Sequence, residues 1–248
     1  MGIEKRFSIN FSRLGLLEMA RPDYRTKPNT VPEPTLRRLP IYYHLLQTMR
    51  TAGVRQVSTT GIAGPLELDP TQVRKDLEAT GMAGKPKVGY GLPQLISHIE
   101  EFLGWHQTRE AVLVGAGSLG TALLGYGRFR QLGFNLVAAF DQDPGRIGVI
   151  EGGTEVLPLH CLVGYCRRRG IRLGLITTPS DSAQSAANAL IEGGIRAIWN
   201  FAPVHLQVPQ SVLLQNEDLY RSLASLSFRL ERMLAAEPDS STGPEPAD

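Results

Sequence analysis

The chain reads as an α/β protein, with short helices in its first half and, beyond residue 108, strands alternating with helices as in a doubly wound parallel sheet. Three observations predict this. Residues 111–120, AVLVGAGSLG, pass from an apolar strand-like run into three glycines, Gly115, Gly117 and Gly120, and on into a helix-like continuation, TALLGYGRF. The next strand-like run, LVAAFD, closes in Asp141, 21 positions after Gly120. Ahead of both, Asp69-Pro70-Thr71-Gln72 announces a capped helix: an Asp cap, proline at the first helical position and glutamine at the third.

In chain order, residues 1–33 mix Pro, Arg, Asn and Thr without sustained periodicity, apart from an apolar patch at 14–19, and read as a flexible leader. Leu39, Tyr42, Tyr43, Leu46 and Met49 then form an amphipathic stripe. Pro40 lies inside that run, so the helix is expected to start there or to kink. Residues 58–66 suggest a second helix, short or irregular because of Gly61, Gly64 and Pro65. The helix opened by Asp69 turns Val73 and Leu77 inward and Gln72, Arg74, Lys75 and Glu78 outward, and stops at Gly81. Residues 84–91, GKPKVGYG, are too rich in glycine for a helix and suit a small hairpin.

This order, over residues 34–106, is that of a winged helix-turn-helix, in which the capped helix enters the major groove and the wing lies along the backbone. The expected DNA-facing set is Thr71, Gln72, Arg74, Lys75, Lys85, Lys87 and Tyr90. Arg74 and Lys75 suit phosphates or base edges, and Lys85 and Lys87 flanking phosphates. Taken alone, Arg74-Lys75-Asp76 reads more readily as a solvated helix face.

Residues 107–212 read as a Rossmann-type unit, with strands at 111–115, 136–140, 172–177 and 197–200, a shorter or edge strand at 154–158, and a helix at 182–192. The loop Gly115, Ala116, Gly117, Ser118, Leu119, Gly120 has the spacing that cradles a dinucleotide pyrophosphate. Gly115 allows the tight turn, Gly117 lets the backbone approach the phosphates, and Gly120 lets the helix pack on its strand. Asp141 is placed to accept from the adenosine ribose and to repel a 2′-phosphate, favouring NAD(H) over NADP(H). Residues 217–234 form a last helix with Leu219, Leu223, Leu226 and Leu230 on one stripe, to be buried on the domain or on a second subunit. Residues 236–248 are acidic, Pro-rich and expected to be disordered.

A chain of 248 residues is comfortable for two domains, and 42% hydrophobic with 20% charged residues describes a soluble globular protein. No run approaches 18 apolar residues and no secretion-type leader opens the chain, so neither a membrane partner nor export is expected. Cys161 and Cys166 have no second pair nearby, so no metal site is expected and they read as ordinary thiols on a helix. The net charge of +2 divides into +4 over residues 1–104 and −2 over 105–248, which only weakly favours a polyanionic partner for the first half.

Several segments in consistent order resemble the Rex redox-sensing transcriptional repressors: RRLPIYYHLL, QVRKDL, VGYG, GAGSLGTALLGY, FDQDPGRIG, AQSAANAL, GIRAIWNFAP, VPQSVLLQNEDL and LSFRL. The resemblance implies a cytoplasmic homodimer, with the C-terminal helix (213–235) of each subunit domain-swapped into the other. It implies release from inverted-repeat operator DNA when NADH binds, whereas NAD⁺ permits DNA binding, and no catalytic activity. It places the nicotinamide neighbourhood at Thr177, Thr178 and Pro179 and at Asn200, Phe201, Ala202 and Pro203. It assigns a redox-registering role to Tyr126 and Asp218. Three departures stand out: His44 where the family commonly has an arginine able to bridge to the aspartate, Thr80-Gly81 where an aromatic-Gly pair is usual, and Lys87 where glycine is common in the wing. Two other classes compete with this reading. An NAD-dependent dehydrogenase needs an acid/base group, but around His205 no Arg–His–Asp constellation is visible. A nucleotide- or CoA-binding module without DNA function is opposed by Asp141 and QVRKDL.

Overall fold

The computed structural model describes residues 31–86, 88–217 and 219–235; Lys87, Asp218, the tail from 236 and all of the leader before residue 31 lie outside them. The chain divides into two compact units, Met1–Leu95 and Ile96–Asp248.

In the first unit, α1 spans Glu33–Thr51, with Pro34 in its first turn, where a missing N–H costs nothing. The helix therefore neither starts at Pro40 nor is interrupted there: Pro40 lies in its interior. An interior proline costs about 3 kcal/mol, and the burial of Leu39, Tyr42, Tyr43 and Leu46 on either side of it outweighs that. Next come β1 (Gln56–Val57), α2 (Thr59–Ala63) and a single 3₁₀ turn, Gly64–Leu66. The Ser58 hydroxyl caps α2 by accepting from the Gly61 N–H at 3.0 Å. Its glycines keep α2 short, as expected.

Helix α3 spans Pro70–Ala79, and Asp69 caps it by accepting from the N–H groups of Thr71 (2.6 Å) and Gln72 (3.2 Å). The wing returns through a bridge between Lys85 and Gly89 to β2 (Tyr90–Gly91), antiparallel to β1. Helix α4, Leu92–Phe102, follows, and the division between units falls within it.

The second unit is built on a seven-stranded sheet. Its elements are β3 (Arg109–Val114), α5 (Ser118–Leu124), α6 (Arg128–Gln131), β4 (Phe134–Asp141), β5 (Ile150–Glu151) and β6 (Thr154–Pro158). Then follow α7 (Leu162–Arg169), β7 (Leu173–Ile176), α8 (Ser180–Glu192), β8 (Ala197–Asn200), β9 (Leu213–Asn216) and α9 (Leu219–Leu234). The order is β5-β6-β4-β3-β7-β8-β9, parallel throughout except that β5 pairs antiparallel with β6. Apart from β5 this is the doubly wound order, with the reversal at β3 between β4 and β7. Val112, Val114, Phe140, Ile176 and Ile198 pack on one face with α7 and α8 residues, and Ala111, Leu113, Ala139, Val156 and Leu175 on the other with Leu124.

Two segments depart from the sequence reading. The expected continuous helix after the glycine loop is two pieces, because α5 ends at Gly125 and α6 begins at Arg128. The sheet gains β9 from residues assigned above to the C-terminal helix segment (213–235), so the Rossmann-type unit runs past 212. Leu213–Asn216 alternates poorly and sits on the sheet edge with most of its side chains outward, so no strand periodicity announces it.

Among the described residues no helix is long and apolar enough to cross a membrane, and no cluster of His, Cys, Asp or Glu is placed to hold a metal. Cys166 is buried on α7, which pushes its thiol up to about 11, while Cys161 ends the 3₁₀ turn before that helix.

Candidate functional site

The reversal at β3 opens a cleft of about 560 Å³ outside the carboxyl ends of β3, β4 and β7. Its floor is the glycine loop. Gly115 has φ +101°, and a Cβ there would lie 2.8 Å from the Thr178 nitrogen. A Cβ on Gly120 would run into the Gly115 carbonyl oxygen. Only glycine at both positions lets the loop turn and α5 pack against it. The Thr177 hydroxyl donates to the Gly115 carbonyl at 2.7 Å, tying the loop after β7 to the loop after β3.

Asp141, at the end of β4, is 6% exposed. Its Oδ2 accepts from the Ala116 N–H (2.8 Å) and from Arg146 (3.0 Å), and its Oδ1 from the Asp143 N–H (2.9 Å). Burial pushes the carboxyl upward, but the Asp143 N–H, the Arg146 guanidinium and the Ala116 N–H outweigh it and hold the group below the usual carboxylate range. It is an anion with lone-pair capacity left on Oδ1.

The expected cofactor residues divide. Gly115, Gly117, Leu119, Asp141, Thr177, Thr178, Pro179, Phe201 and Pro203 line the cleft. Ser118 faces an adjoining hollow with Thr121, and Ala116, Gly117 and Arg146 also line it. Gly120 is buried against the loop. Asn200 and Ala202 do not face the cleft. Asn200 is fully buried: its amide donates to the carbonyls of Ala202 and Val204 and to Asn216 Oδ1, and its Oδ1 accepts from the Ala202 N–H. These two residues hold the turn that presents Phe201 and Pro203. Arg146, Leu159, Ser182, Ser185 and Ala186 also line the cleft. Sequence reasoning missed them because loops and α8 bring them in from positions that no periodicity connects.

One polar atom in this wall has no partner. The Thr178 Oγ1 is buried and makes no hydrogen bond, the condition a cleft-lining hydroxyl meets when its partner is a ligand. With the two glycine positions that admit no side chain, it makes the cleft fit a dinucleotide.

Tyr126 lies just past α5 and is 49% exposed. It starts an aromatic chain through Phe129 (5.2 Å), Trp199 (5.9 Å from Phe129) and Phe201 (4.7 Å from Trp199). The Trp199 indole donates to Glu217 Oε1 at 2.9 Å, the residue before Asp218. His44 is exposed on α1 in the other unit, with its ring edge-on to Tyr43.

In the first unit, Thr71, Arg74, Lys75 and Lys85 are exposed, and Arg74 lies 3.9 Å from Glu78. Arg74 and Lys85 line a groove with Ser58, Thr59 and Pro86. Tyr90 is largely buried, 4% exposed, with its ring seated against Gly84, where a Cβ would lie 2.9 Å away; it anchors the wing from below and lines the inner wall of that groove. Gln72 is partly turned inward, its amide donating to Asp76 Oδ1 at 2.9 Å.

That aspartate is the centre of the unit. Asp76, 1% exposed on α3, accepts from Arg38 twice (2.6 and 2.8 Å), Tyr42 (2.6 Å), Thr35 (2.8 Å) and Gln72. Burial raises its carboxyl, but Arg38, Tyr42, Thr35 and Gln72 together carry it down to about 2. The bidentate arginine fixes α3 on α1 with defined geometry. RRLPIYY and QVRKDL thus contain a buried ion pair as well as an outward basic face.

Comparison with known proteins follows the same division. Residues 30–78 match the family described as putative DNA-binding protein N-terminus, and residues 106–204 the family described as CoA binding domain. The chain is 45% identical over 197 residues to the redox-sensing transcriptional repressor Rex of Treponema denticola, covering 79% of this chain and 94% of that one. It is 38% identical to that of Bacteroides fragilis, covering 81% and 91%. Among solved structures it is similar to RSP in complex with β-NAD⁺ and operator DNA (TM-score 0.78, 33% identity, 86% of this chain and 99% of that one). It is also similar to RSP in complex with β-NADH (TM-score 0.74, 32% identity, 83% and 97%).

Proposed function

The chain belongs to the Rex family of redox-sensing transcriptional repressors, and we propose that it holds operator DNA as a homodimer and releases it when NADH binds. One observation carries the reading: relatives named as redox-sensing repressors align across both units, so a DNA-reading unit and a dinucleotide cleft belong to one design. The chain is a repressor and not an enzyme, which sets aside a dehydrogenase. A CoA-binding module answers only to residues 106–204 and leaves α3 and the wing without a use.

The residues divide the work. In the loop of Gly115, Ala116, Gly117, Ser118, Leu119 and Gly120, the first two N–H groups go to Phe140 and Asp141 and those from Gly117 onward turn toward a pyrophosphate, while Asp141 takes a ribose hydroxyl on Oδ1. Thr177, Thr178 and Pro179 form the wall opposite. When bound, NAD(H) supplies a nicotinamide ring that is cationic when oxidised and neutral when reduced. Phe201 and Pro203 line the cleft with apolar surface, which disfavours an unpaired charge and so favours the reduced form. Tyr126 and Asp218 register the difference. His44 stands where the family commonly has an arginine and belongs to the same switch.

Moving the dimer from mostly one state to mostly the other takes a differential affinity of about 5.5 kcal/mol. Thr71, Arg74, Lys75, Lys85 and Lys87 meet phosphates and base edges, and Gln72 reads through its free carbonyl oxygen. A two-fold dimer matches an inverted repeat, and shifting its recognition helices apart loses the half-site register. Leu223, Leu226, Phe228 and Leu230 of α9 are exposed within the single chain, and a second copy is their natural cover. The protein acts in the cytoplasm, where DNA and the NAD(H) pool meet.

The test is fluorescence anisotropy of an inverted-repeat operator duplex with full-length protein. Release by NADH at concentrations where NAD⁺ leaves the complex intact is expected, and binding indifferent to both overturns the sensing role. A Tyr126→Phe or Asp218→Ala protein with the wild-type NADH response removes those residues from the switch.

A further inference from the structure

Among the described residues lining the cleft, Arg146 is the one basic side chain, and it shares the walls with two carboxylates, Asp141 and Asp143. Its Nη1 lies 3.0 Å from Asp141 Oδ2 and its Nε 3.5 Å from Asp143 Oδ2. The same guanidinium stands over the glycine loop, because a Cβ on Gly117 would be only 3.5 Å from Nη1. It lines both the cleft and the adjoining hollow by Ser118 and Thr121, so it stands on the rim between them. The side chain is 46% exposed. It therefore keeps donors on the solvent side, since a guanidinium carries five N–H groups and these pairs use few of them.

A pyrophosphate entering this cleft meets two anions and one cation. Without Arg146 it would meet only the anions, and a cleft of one charge sign repels a ligand of that sign. Arg146 is also beside Asp141 and Gly117, whereas the oxidised and reduced cofactors share their adenosine and pyrophosphate and differ only in the nicotinamide ring.

We infer that Arg146 contacts the cofactor and supplies the counter-charge to its pyrophosphate, setting affinity for the dinucleotide without setting the preference between its oxidised and reduced forms. The inference rests on the NAD(H)-sensing reading above. It gives Arg146 a role of its own, beyond orienting Asp141.

Isothermal titration of the full-length protein with NADH, NAD⁺ and ADP-ribose, at low and high salt, tests it. Arg146→Gln is expected to weaken all three by about tenfold, as for loss of one partly exposed charge-assisted hydrogen bond. It leaves the NADH-to-NAD⁺ affinity ratio unchanged and makes the salt dependence shallower. Arg146→Lys, which keeps the charge, recovers most of the loss and controls for folding. In an Asp141→Asn background Arg146→Gln still costs about tenfold. The inference falls if Arg146→Gln binds all three like the wild type, if only one redox form weakens, or if the loss vanishes in the Asp141→Asn background, which would make Arg146 a positioning residue for that carboxylate. A wild-type protein that binds neither NADH nor NAD⁺ is a different result: it removes the sensing reading itself, and this inference with it.

Discussion

Asp76 and Asp141 are both buried, both ionised and both paired with an arginine, yet their surroundings suit opposite uses. Asp76 takes five hydrogen bonds from side chains of α1 and α3, including both prongs of Arg38. Its lone pairs are spent inside the unit and it ties two helices together. Asp141 takes two backbone N–H groups and one prong of a half-exposed arginine, and it faces a cleft whose wall holds an unpartnered hydroxyl at Thr178. A buried charge that is fully satisfied fixes geometry, whereas one left with spare capacity at a cleft is available to a ligand.

The largest expected effect falls on the first of these. Asp76→Ala leaves Arg38 and Tyr42 facing each other without their acceptor, and breaking a buried pair this way costs about 3–5 kcal/mol. Urea unfolding measures it. A loss below about 1 kcal/mol, the level of a surface pair, means that Asp76 is no lock.

At Asp141 the effect shifts from stability to ligand. Asp141→Asn is expected to weaken NADH by about 1.5–3 kcal/mol through lost charge-assisted bonds to the ribose. It also narrows the margin by which NADH is preferred to NADPH. Calorimetric affinities for both cofactors check this, and an unchanged preference removes Asp141 from the discrimination.

The acid limb of stability reads the Asp76 lock directly. Folding lowers the Asp76 carboxyl from its ordinary 3.8 to about 2, so its contribution is complete above about pH 4 and is lost as the pH falls toward 2. With about 1.4 kcal/mol per unit, that is about 2.5 kcal/mol. The gap in unfolding free energy between wild type and Asp76→Asn should therefore close over this window. A gap that stays constant from pH 5 to 2.5 contradicts the assignment.

The smallest effect belongs to Thr178→Val. Removing an unpartnered hydroxyl leaves the stability of the free protein unchanged or raises it by up to about 1 kcal/mol, while NADH affinity falls by about 0.5–1.5 kcal/mol. Destabilisation without a change in affinity would mean that the hydroxyl is bonded within the protein.

The cleft was legible in sequence where its chemistry is local. Three glycines and an acid at fixed spacing locate the loop and Asp141, and the cap at Asp69 locates α3, because each rests on backbone geometry within a few residues. What escaped is tertiary. Pro40 leaves open whether the helix starts there or kinks, and only the buried faces of Leu39, Tyr42 and Tyr43 show why α1 already runs from Glu33. Tyr90 reads as a wing residue facing DNA, and only the fold shows Gly84 lying on its ring and most of that ring buried. Asn200 reads as a cofactor neighbour until its amide is found holding the turn beside it. Arg146, five residues past Asp141 in a loop, follows no period at all, and only the fold of 141–146 brings it back over Gly117.

In the proposed function, occupancy of the Asp141 cleft by reduced cofactor governs the unit built around Asp76. The most direct measurement is operator-duplex anisotropy with the wild-type protein at a fixed total NAD(H) concentration and varied NADH/NAD⁺ ratio, repeated at a second total concentration. One release curve is expected, which depends on the ratio and superimposes at both totals once the cleft is saturated. Release that follows the total pool, or DNA binding indifferent to the ratio, would contradict it.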